Sequence, residues 1–148
     1  MPARKSNRKS RPPTLRIEQS ITGTVCGVDE VGYSPIAGPV VAAAVILPGN
    51  ERPRPLNGLR ESKQLSPDER GHYAGIVRSI ADVGLGVATV KEIDELNIYQ
   101  ANRIALARAI QSLEGTPNVA LVDGHFKPVV DCEVRNIVRG DEQSLSIA

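Results

Sequence analysis

Large aromatic side chains and cysteines are scarce in this chain. Its 148 residues include no tryptophan, one phenylalanine, three tyrosines and two cysteines. The core must therefore be built mainly from valine, isoleucine, leucine and alanine. Cys26 and Cys132 lie far apart, with neither the CxxC spacing nor the cysteine and histidine clusters of zinc sites. We interpret both as reduced packing residues, a use of cysteine that is typical of cytoplasmic proteins.

Long apolar runs are missing as well. No apolar run approaches the roughly 18 residues that a membrane-spanning helix needs. The basic N-terminus lacks the apolar stretch of a secretory signal peptide. We therefore expect neither a membrane protein nor a secreted protein.

The small net charge of +1 conceals an uneven distribution of charge. Residues 1–16 hold six of the 18 basic residues and no acidic residue, so the rest of the chain has 12 basic against 17 acidic residues, a net charge of −5. A polar, basic segment that contains proline buries too little apolar surface to fold, which predicts a disordered basic tail over residues 1–16. Residues 17–148 form the predicted folded domain, and its acidic balance suits divalent cations.

Apolar segments bounded by turn residues predict five β-strands, over residues 23–30, 39–48, 83–90, 118–124 and 133–138. The second is a nearly continuous apolar run between two prolines, which predicts a strand buried on both faces. Gly84 and Gly86 weaken the prediction of the third strand, because glycine is unfavourable inside a strand.

Helical patterns lie between the later strands. Ser66 is a predicted N-cap, Pro67 the first helical residue and Glu69 the partner of a capping box, for a helix that runs to about Ala81. Residues 91–115 carry apolar side chains at mostly helical spacings and end at a glycine. Strands that pair first as a hairpin and then alternate with helices predict one domain with a mixed α/β sheet.

Three acidic residues close two of the predicted strands. Asp29 and Glu30 end the first strand, and Asp123 ends the fourth. If those strands are neighbours, their carboxyl ends form a pocket of oxygen ligands for Mg²⁺ or Mn²⁺. Each of these two features also has an ordinary explanation. Asp29 and Glu30 can be an exposed acidic pair, and Asp123 with Gly124 can be a turn. His125 follows Asp123 closely and is either a structural residue or a neighbour of that pocket.

Five sequence blocks occur in an order that resembles bacterial ribonuclease HII: GVDEVG…PIAGPVVAAAVIL, GLRESKQLS, KEIDELNI, LVDG and VRGDEQSLSIA. The resemblance implies an RNase H-like fold, a mixed β-sheet flanked by helices. It also implies an endonuclease that hydrolyses the RNA strand of RNA/DNA hybrids and cuts DNA at embedded ribonucleotides. The cofactors implied are two Mn²⁺ or Mg²⁺ ions. We expect a cytoplasmic monomer.

The resemblance also implies roles for individual residues. Asp29, Glu30 and Asp123 match the metal-binding and catalytic carboxylates of the family. Lys63 matches a lysine that lies near the substrate phosphates.

A substrate-binding turn follows the acidic pair in the family, at the position of Gly32, Tyr33 and Ser34. The family usually has Gly-Arg-Gly there. The loss of the arginine removes a cation that could contact phosphate, and serine has a Cβ atom that glycine lacks. We expect these two departures to change how the turn contacts its substrate.

The family further supplies a fourth acid, an aspartate on a helix beyond the position of Ala148, followed by more C-terminal helices. Asp141 and Ser144 are predicted to open that helix, and we do not assign Asp141 the role of the fourth acid. The C-terminal helices are thus expected to be missing from this sequence, and its activity to be reduced. The alternative is a truncated, catalytically impaired relic that binds nucleic acid or metal without cutting.

Overall fold

Five strands form a single sheet in a computed structural model that describes residues 11–31 and 38–148. The strands are β1 (Val25–Val31), β2 (Val40–Ile46), β3 (Asp82–Ala88), β4 (Val119–Asp123) and β5 (Glu133–Ile137). Their order in the sheet is β3-β2-β1-β4-β5. The pairs β1–β2 and β2–β3 are antiparallel, whereas β1–β4 and β4–β5 are parallel. The predicted mixed sheet is therefore confirmed.

Five helices accompany the sheet in the described residues: α1 (Arg16–Gln19), α2 (Pro67–Ile80), α3 (Val90–Leu96), α4 (Ile98–Gln111) and α5 (Gly140–Gln143). The predicted capping box of α2 is present. The Ser66 hydroxyl accepts from the Glu69 N–H at 3.1 Å, and the Glu69 carboxylate accepts from the Ser66 N–H at 3.2 Å. These two bonds satisfy N–H groups that a helix start otherwise leaves unpaired.

The helical pattern over residues 91–115 is not one helix but two. Asn97 separates α3 from α4 with a φ of 74° and a ψ of 163°, a backbone conformation that residues other than glycine rarely adopt. Its side-chain oxygen then caps α4 by accepting from the Gln100 N–H at 3.0 Å. The helix ends at Gln111, before Gly115 is reached.

One face of the sheet is covered by α4, whose alanine-rich side packs closely on β2 and β3. A Cβ atom on Gly86 would lie 2.1 Å from the Ala105 carbonyl oxygen. Gly84 and Gly86, which weaken the prediction of the third strand, therefore allow α4 to pack close to β3. Buried residues of this layer are Cys26, Val28, Val40, Ala42, Ala44, Ala88, Ala101, Ala105, Leu106, Ala109, Ile110, Leu113, Ala120 and Val122.

The opposite face carries α1, α2 and the C-terminal residues. β2 is only partly buried on this side, at Ala43 and Val45, so the prediction that its strand is buried on both faces is wrong there. A cluster of Leu15, Leu56, Leu59, Leu65 and Leu145 packs beneath α2. A second cluster joins Ile147 to β4 at Val119 and Leu121.

The prediction of a disordered tail over residues 1–16 is wrong at residues 13–16, while residues 1–10 lie outside the described residues. Pro13 and Leu15 are buried. The Thr14 N–H donates to the Gln143 carbonyl at 3.1 Å, and the Leu145 N–H donates to the Thr14 carbonyl at 2.9 Å. Residues 13–16 therefore belong to the folded domain. Among the described residues, none of the helices has both the length and the apolar character to cross a membrane.

Candidate functional site

Asp29 and Asp123 occupy equivalent positions on two neighbouring parallel strands. Val28 of β1 is paired with Val122 of β4, and each aspartate is the next residue of its strand. Adjacent strands lie about 4.8 Å apart, and residues at the same level of a parallel pair direct their side chains to the same face. The two carboxylates therefore project side by side from the carboxyl ends of these strands.

Glu30 joins this pair although it follows Asp29 directly. β1 continues to Val31, so strand alternation starts the Glu30 side chain on the face opposite Asp29. The two carboxyl groups nevertheless interact through a hydrogen bond, and the Glu30 N–H donates to Asp29 Oδ1 at 2.7 Å. The Glu30 Oε2 atom is buried and has no hydrogen-bond partner in the described residues.

The crowding of carboxylates changes their acidity. Burial, followed by the negative charges of Asp123 and Glu30, raises the pKa of Asp29 to about 8. Burial also raises the pKa of Glu30, against the hydrogen bond with Asp29 that lowers it. Buried acids that interact this strongly favour either a proton or a cation beside them.

The first residue of α5 holds the Asp123 carboxylate in place through a hydrogen bond. The Gly140 N–H donates to Asp123 Oδ1 at 2.6 Å. α5 is a single turn that ends at Gln143, and Ser144 is its C-cap. Ser144 therefore closes this helix and does not open it, contrary to the prediction from the sequence. The turn therefore contributes one backbone donor to the acidic site.

Asp141, the next residue of α5, also lies near Asp123. Burial raises the pKa of Asp141, the charges of Asp123 and Glu61 raise it further, and the Lys63 ammonium lowers it. The sequence does not predict that Asp141 and Glu61 join the site. The signal was available in the topology, because β5 is parallel to β4 and its C-terminal residues must emerge at the same edge.

Lys63 is exposed in a 3₁₀ turn over Ser62–Gln64, close enough to Asp141 for their charges to interact. The structure thus brings Lys63 to the acidic cluster, as a cation at its rim.

Gly32, Tyr33 and Ser34 lie outside the described residues. His125 is exposed, and the ring of His72, on α2, lies in a T-shaped contact with the ring of Tyr73.

The chemistry of the acidic cluster fits hard divalent cations. Its groups are carboxylate oxygens, which are the ligands that Mg²⁺ and Mn²⁺ prefer, and Glu30 Oε2 is buried without a partner in the described residues. In residues 11–31 and 38–148, no three acidic, histidine or cysteine side chains are already arranged around one metal position. The carboxylates are therefore neighbours that a cation would have to draw together.

Solved structures with the same fold are ribonucleases H. Ribonuclease H2 of Pyrococcus horikoshii superposes with a TM-score of 0.71 at 25% identity, over 84% of this chain and 66% of that one. Bst-RNase HIII, solved in complex with Mn²⁺, has the same fold with a TM-score of 0.62 at 16% identity, over 84% of this chain and 48% of that one. The RNase H-like fold is confirmed by these likenesses.

Among the ribonucleases H, sequence comparison assigns the chain to one family. The family model described as Ribonuclease HII matches residues 26–148. Ribonuclease HII of Paramagnetospirillum magneticum is 49% identical over 137 residues, which are 92% of this chain and 68% of that protein. That of Granulibacter bethesdensis is 45% identical over 139 residues, 92% of this chain and 64% of that protein. The chain belongs to the ribonuclease HII family, and it spans about two thirds of the length of these relatives.

Proposed function

We propose that this protein is an endonuclease that hydrolyses the RNA strand of RNA/DNA hybrids and cuts DNA at embedded ribonucleotides. Membership of the ribonuclease HII family supports this reaction. The observation that carries it is the side-by-side position of Asp29 and Asp123 at the ends of β1 and β4, with Glu30 beside them.

Asp29, Glu30 and Asp123 are the residues proposed to hold Mn²⁺ or Mg²⁺. Their carboxylates form a partly buried, negatively charged cluster. Glu30 Oε2 has no hydrogen-bond partner among the described residues and can therefore serve as a metal ligand. When bound, such ions activate a water molecule and stabilise the leaving oxygen of a phosphodiester. The sheet contributes rigid positions for two of the three acids, since Asp29 and Asp123 are fixed by strand pairing.

The chain's own cations bind the nucleic acid in this proposal. Lys63 lies at the rim of the acidic cluster, where its ammonium can contact a backbone phosphate in any sequence. The basic N-terminal residues add attraction that depends on salt. The turn at Gly32, Tyr33 and Ser34 is proposed to contact the substrate near the ribonucleotide, with serine and tyrosine in place of the family's glycine and arginine. We propose a monomer that works in the cytoplasm, where the bacterial chromosome lies.

Cleavage of three duplexes of one sequence tests this function. One is an RNA/DNA hybrid, one is DNA with a single embedded ribonucleotide and one is DNA alone. With Mn²⁺ or Mg²⁺, we expect the first two to be cut and the third to remain intact. Cleavage of DNA alone at a comparable rate would contradict the proposal. Binding of the first two duplexes without cutting would favour the alternative, a relic that retains nucleic-acid binding.

A further inference from the structure

We propose that Glu18, on α1, is a positioning residue for Asp123. Its carboxylate fixes residues 144–147, and these residues in turn hold the Gly140 N–H against the Asp123 carboxylate. The inference rests on the proposed function, because it assigns a further residue to the same acidic site. Each step is a contact between described residues.

The first step is a set of hydrogen bonds that converge on one oxygen. Glu18 Oε1 accepts from the Ser146 N–H at 3.0 Å, from the Ser146 hydroxyl at 2.7 Å and from the Ser144 hydroxyl. Both serines are buried. Hydrogen bonds to a charged acceptor are about twice as strong as neutral ones. Removing the Glu18 carboxylate would leave buried donors without an acceptor, so the segment would have to shift.

The second step links this segment to Asp123 through Gly140. A Cβ atom on Gly140 would lie 2.6 Å from Ile147 Cδ1 and 3.2 Å from Asp123 Oδ1. Gly140 is therefore held between the residue that follows Ser146 and the acidic site. The Ser144 N–H also donates to the Gly140 carbonyl at 2.8 Å. A shift of residues 144–147 would move the donor that orients Asp123.

The third step fixes the same segment against β1. The peptide between Ser146 and Ile147 packs directly on Gly27, where a Cβ atom would lie 2.2 Å from the Ser146 carbonyl carbon. Gly27 is two residues before Asp29. The segment that Glu18 holds therefore contacts both strands that carry the acidic site.

The burial of Glu18 itself argues that it is more than a surface residue of α1. Its second oxygen, Oε2, is buried and has no hydrogen-bond partner in the described residues. A carboxylate that is only partly satisfied is costly. The three hydrogen bonds that Oε1 accepts from Ser144 and Ser146 are consistent with a positioning role for this carboxylate.

Mn²⁺ binding, measured by isothermal titration calorimetry, tests the proposal without relying on turnover. Groups that orient a metal ligand typically contribute 10- to 100-fold to metal affinity. We expect Glu18→Ala and Ser146→Ala each to weaken Mn²⁺ binding by about that factor. Glu18→Gln, which keeps an acceptor oxygen, should recover part of the loss.

Asp82→Asn is the matched control. Asp82 is also a carboxylate that holds backbone N–H groups, those of Glu114 at 3.1 Å and Gly115 at 2.8 Å, but it lies at the opposite end of the sheet. Its substitution should lower the melting temperature and leave Mn²⁺ affinity within about threefold of the unaltered protein. A loss of affinity for Asp82→Asn equal to that for Ser146→Ala would overturn the proposal, because general loosening would then explain both.

Asp123→Asn separates failure of this inference from failure of the proposed function. If Asp123→Asn abolishes Mn²⁺ binding while the Glu18 and Ser146 variants bind like the unaltered protein, the role of Glu18 is wrong and the acidic site stands. If Asp123→Asn binds Mn²⁺ unchanged, the acidic site itself is wrong. Should Glu18→Ala fail to fold, Ser146→Ala and Glu18→Gln decide the outcome.

Discussion

Asp29 and Asp123 are separated by almost a hundred residues of sequence but are neighbours across the β1–β4 pair, one position beyond the paired residues Val28 and Val122. Strand register, and not a flexible loop, sets their separation. Side chains on paired strands are held more rigidly than side chains on loops, and a rigid pair of acids can define a cation site.

Lys63 should contribute to binding of nucleic acid and not to the acidic cluster itself. Lys63→Ala is expected to weaken binding of a duplex with one ribonucleotide and to lower the salt dependence of log K by about one unit, the effect of one lost phosphate contact. Fluorescence anisotropy across a range of salt concentrations, without divalent ions, measures both quantities.

Lys91→Ala serves as its control, since Lys91 is exposed on α3 and paired with Glu95 at 3.8 Å. An unchanged salt slope for Lys63→Ala, or an equal change for Lys91→Ala, would remove Lys63 from the proposed interface.

Gly27 should not tolerate a side chain. A Cβ atom there would meet the Ser146 carbonyl carbon at 2.2 Å, and overpacking of this kind costs about 1–3 kcal/mol or more. Gly71→Ala is the matched control, because α2 leaves open space at Gly71, and alanine stabilises a helix interior by about 0.5–1 kcal/mol relative to glycine. Urea unfolding of both variants should show shifts of opposite sign. A neutral Gly27→Ala would contradict the close contact between β1 and residues 146–147.

Stability without divalent ions should depend on pH through Asp29. Burial and the neighbouring acids raise the pKa of Asp29 in the folded state from 3.8 to about 8. A raised folded pKa gives a contribution that is complete at pH values below the unfolded pKa and is lost as the pH rises through the folded pKa. The free energy of unfolding should therefore fall between about pH 4 and about pH 8, and this fall should be smaller in Asp29→Asn. Parallel pH profiles for the two proteins would show that the carboxyl is not perturbed.

Both thiols should resist alkylation in the folded protein. Burial, with a smaller effect of Cys132, raises the pKa of Cys26 to about 12, and burial raises the pKa of Cys132 as well. Because the thiolate is the reactive form, iodoacetamide near neutral pH should modify Cys26 only after unfolding and Cys132 earlier than Cys26. Mass spectrometry after timed alkylation checks the order. Rapid modification of Cys26 under native conditions would contradict its burial.

Much of the fold could be predicted because local signals and tertiary structure agree. Apolar runs bounded by turn residues located all five strands, and Ser66 with Glu69 located the start of α2. The break at Asn97 was missed because apolar periodicity continues from α3 into α4, while the change of direction depends on one residue with positive φ.

The candidate site was less completely predictable. Asp29, Glu30 and Asp123 could be found because each stands where an apolar strand ends or is about to end. Glu18 could not, since its position depends on long-range packing: Glu18 and Ser146 are 128 residues apart in sequence. Asp141 can be placed only when the parallel pairing of β5 with β4 is known. The tail prediction failed at residues 13–16 for the same reason, because a basic, proline-containing segment gives no local sign of its pairing with Gln143 and Leu145.

Single-turnover cleavage of DNA with one embedded ribonucleotide, in the presence of Mn²⁺, is the most direct test of the acidic site. Asp123→Asn is compared with Asp131→Asn, which changes an exposed acid just before β5 at the other end of the sheet. The proposed site predicts that Asp123→Asn loses cleavage by a factor on the order of 100 or more, since small errors of positioning already cost about that much, while Asp131→Asn cuts like the unaltered protein. Equal cleavage by the unaltered protein and Asp123→Asn would contradict the role of this site.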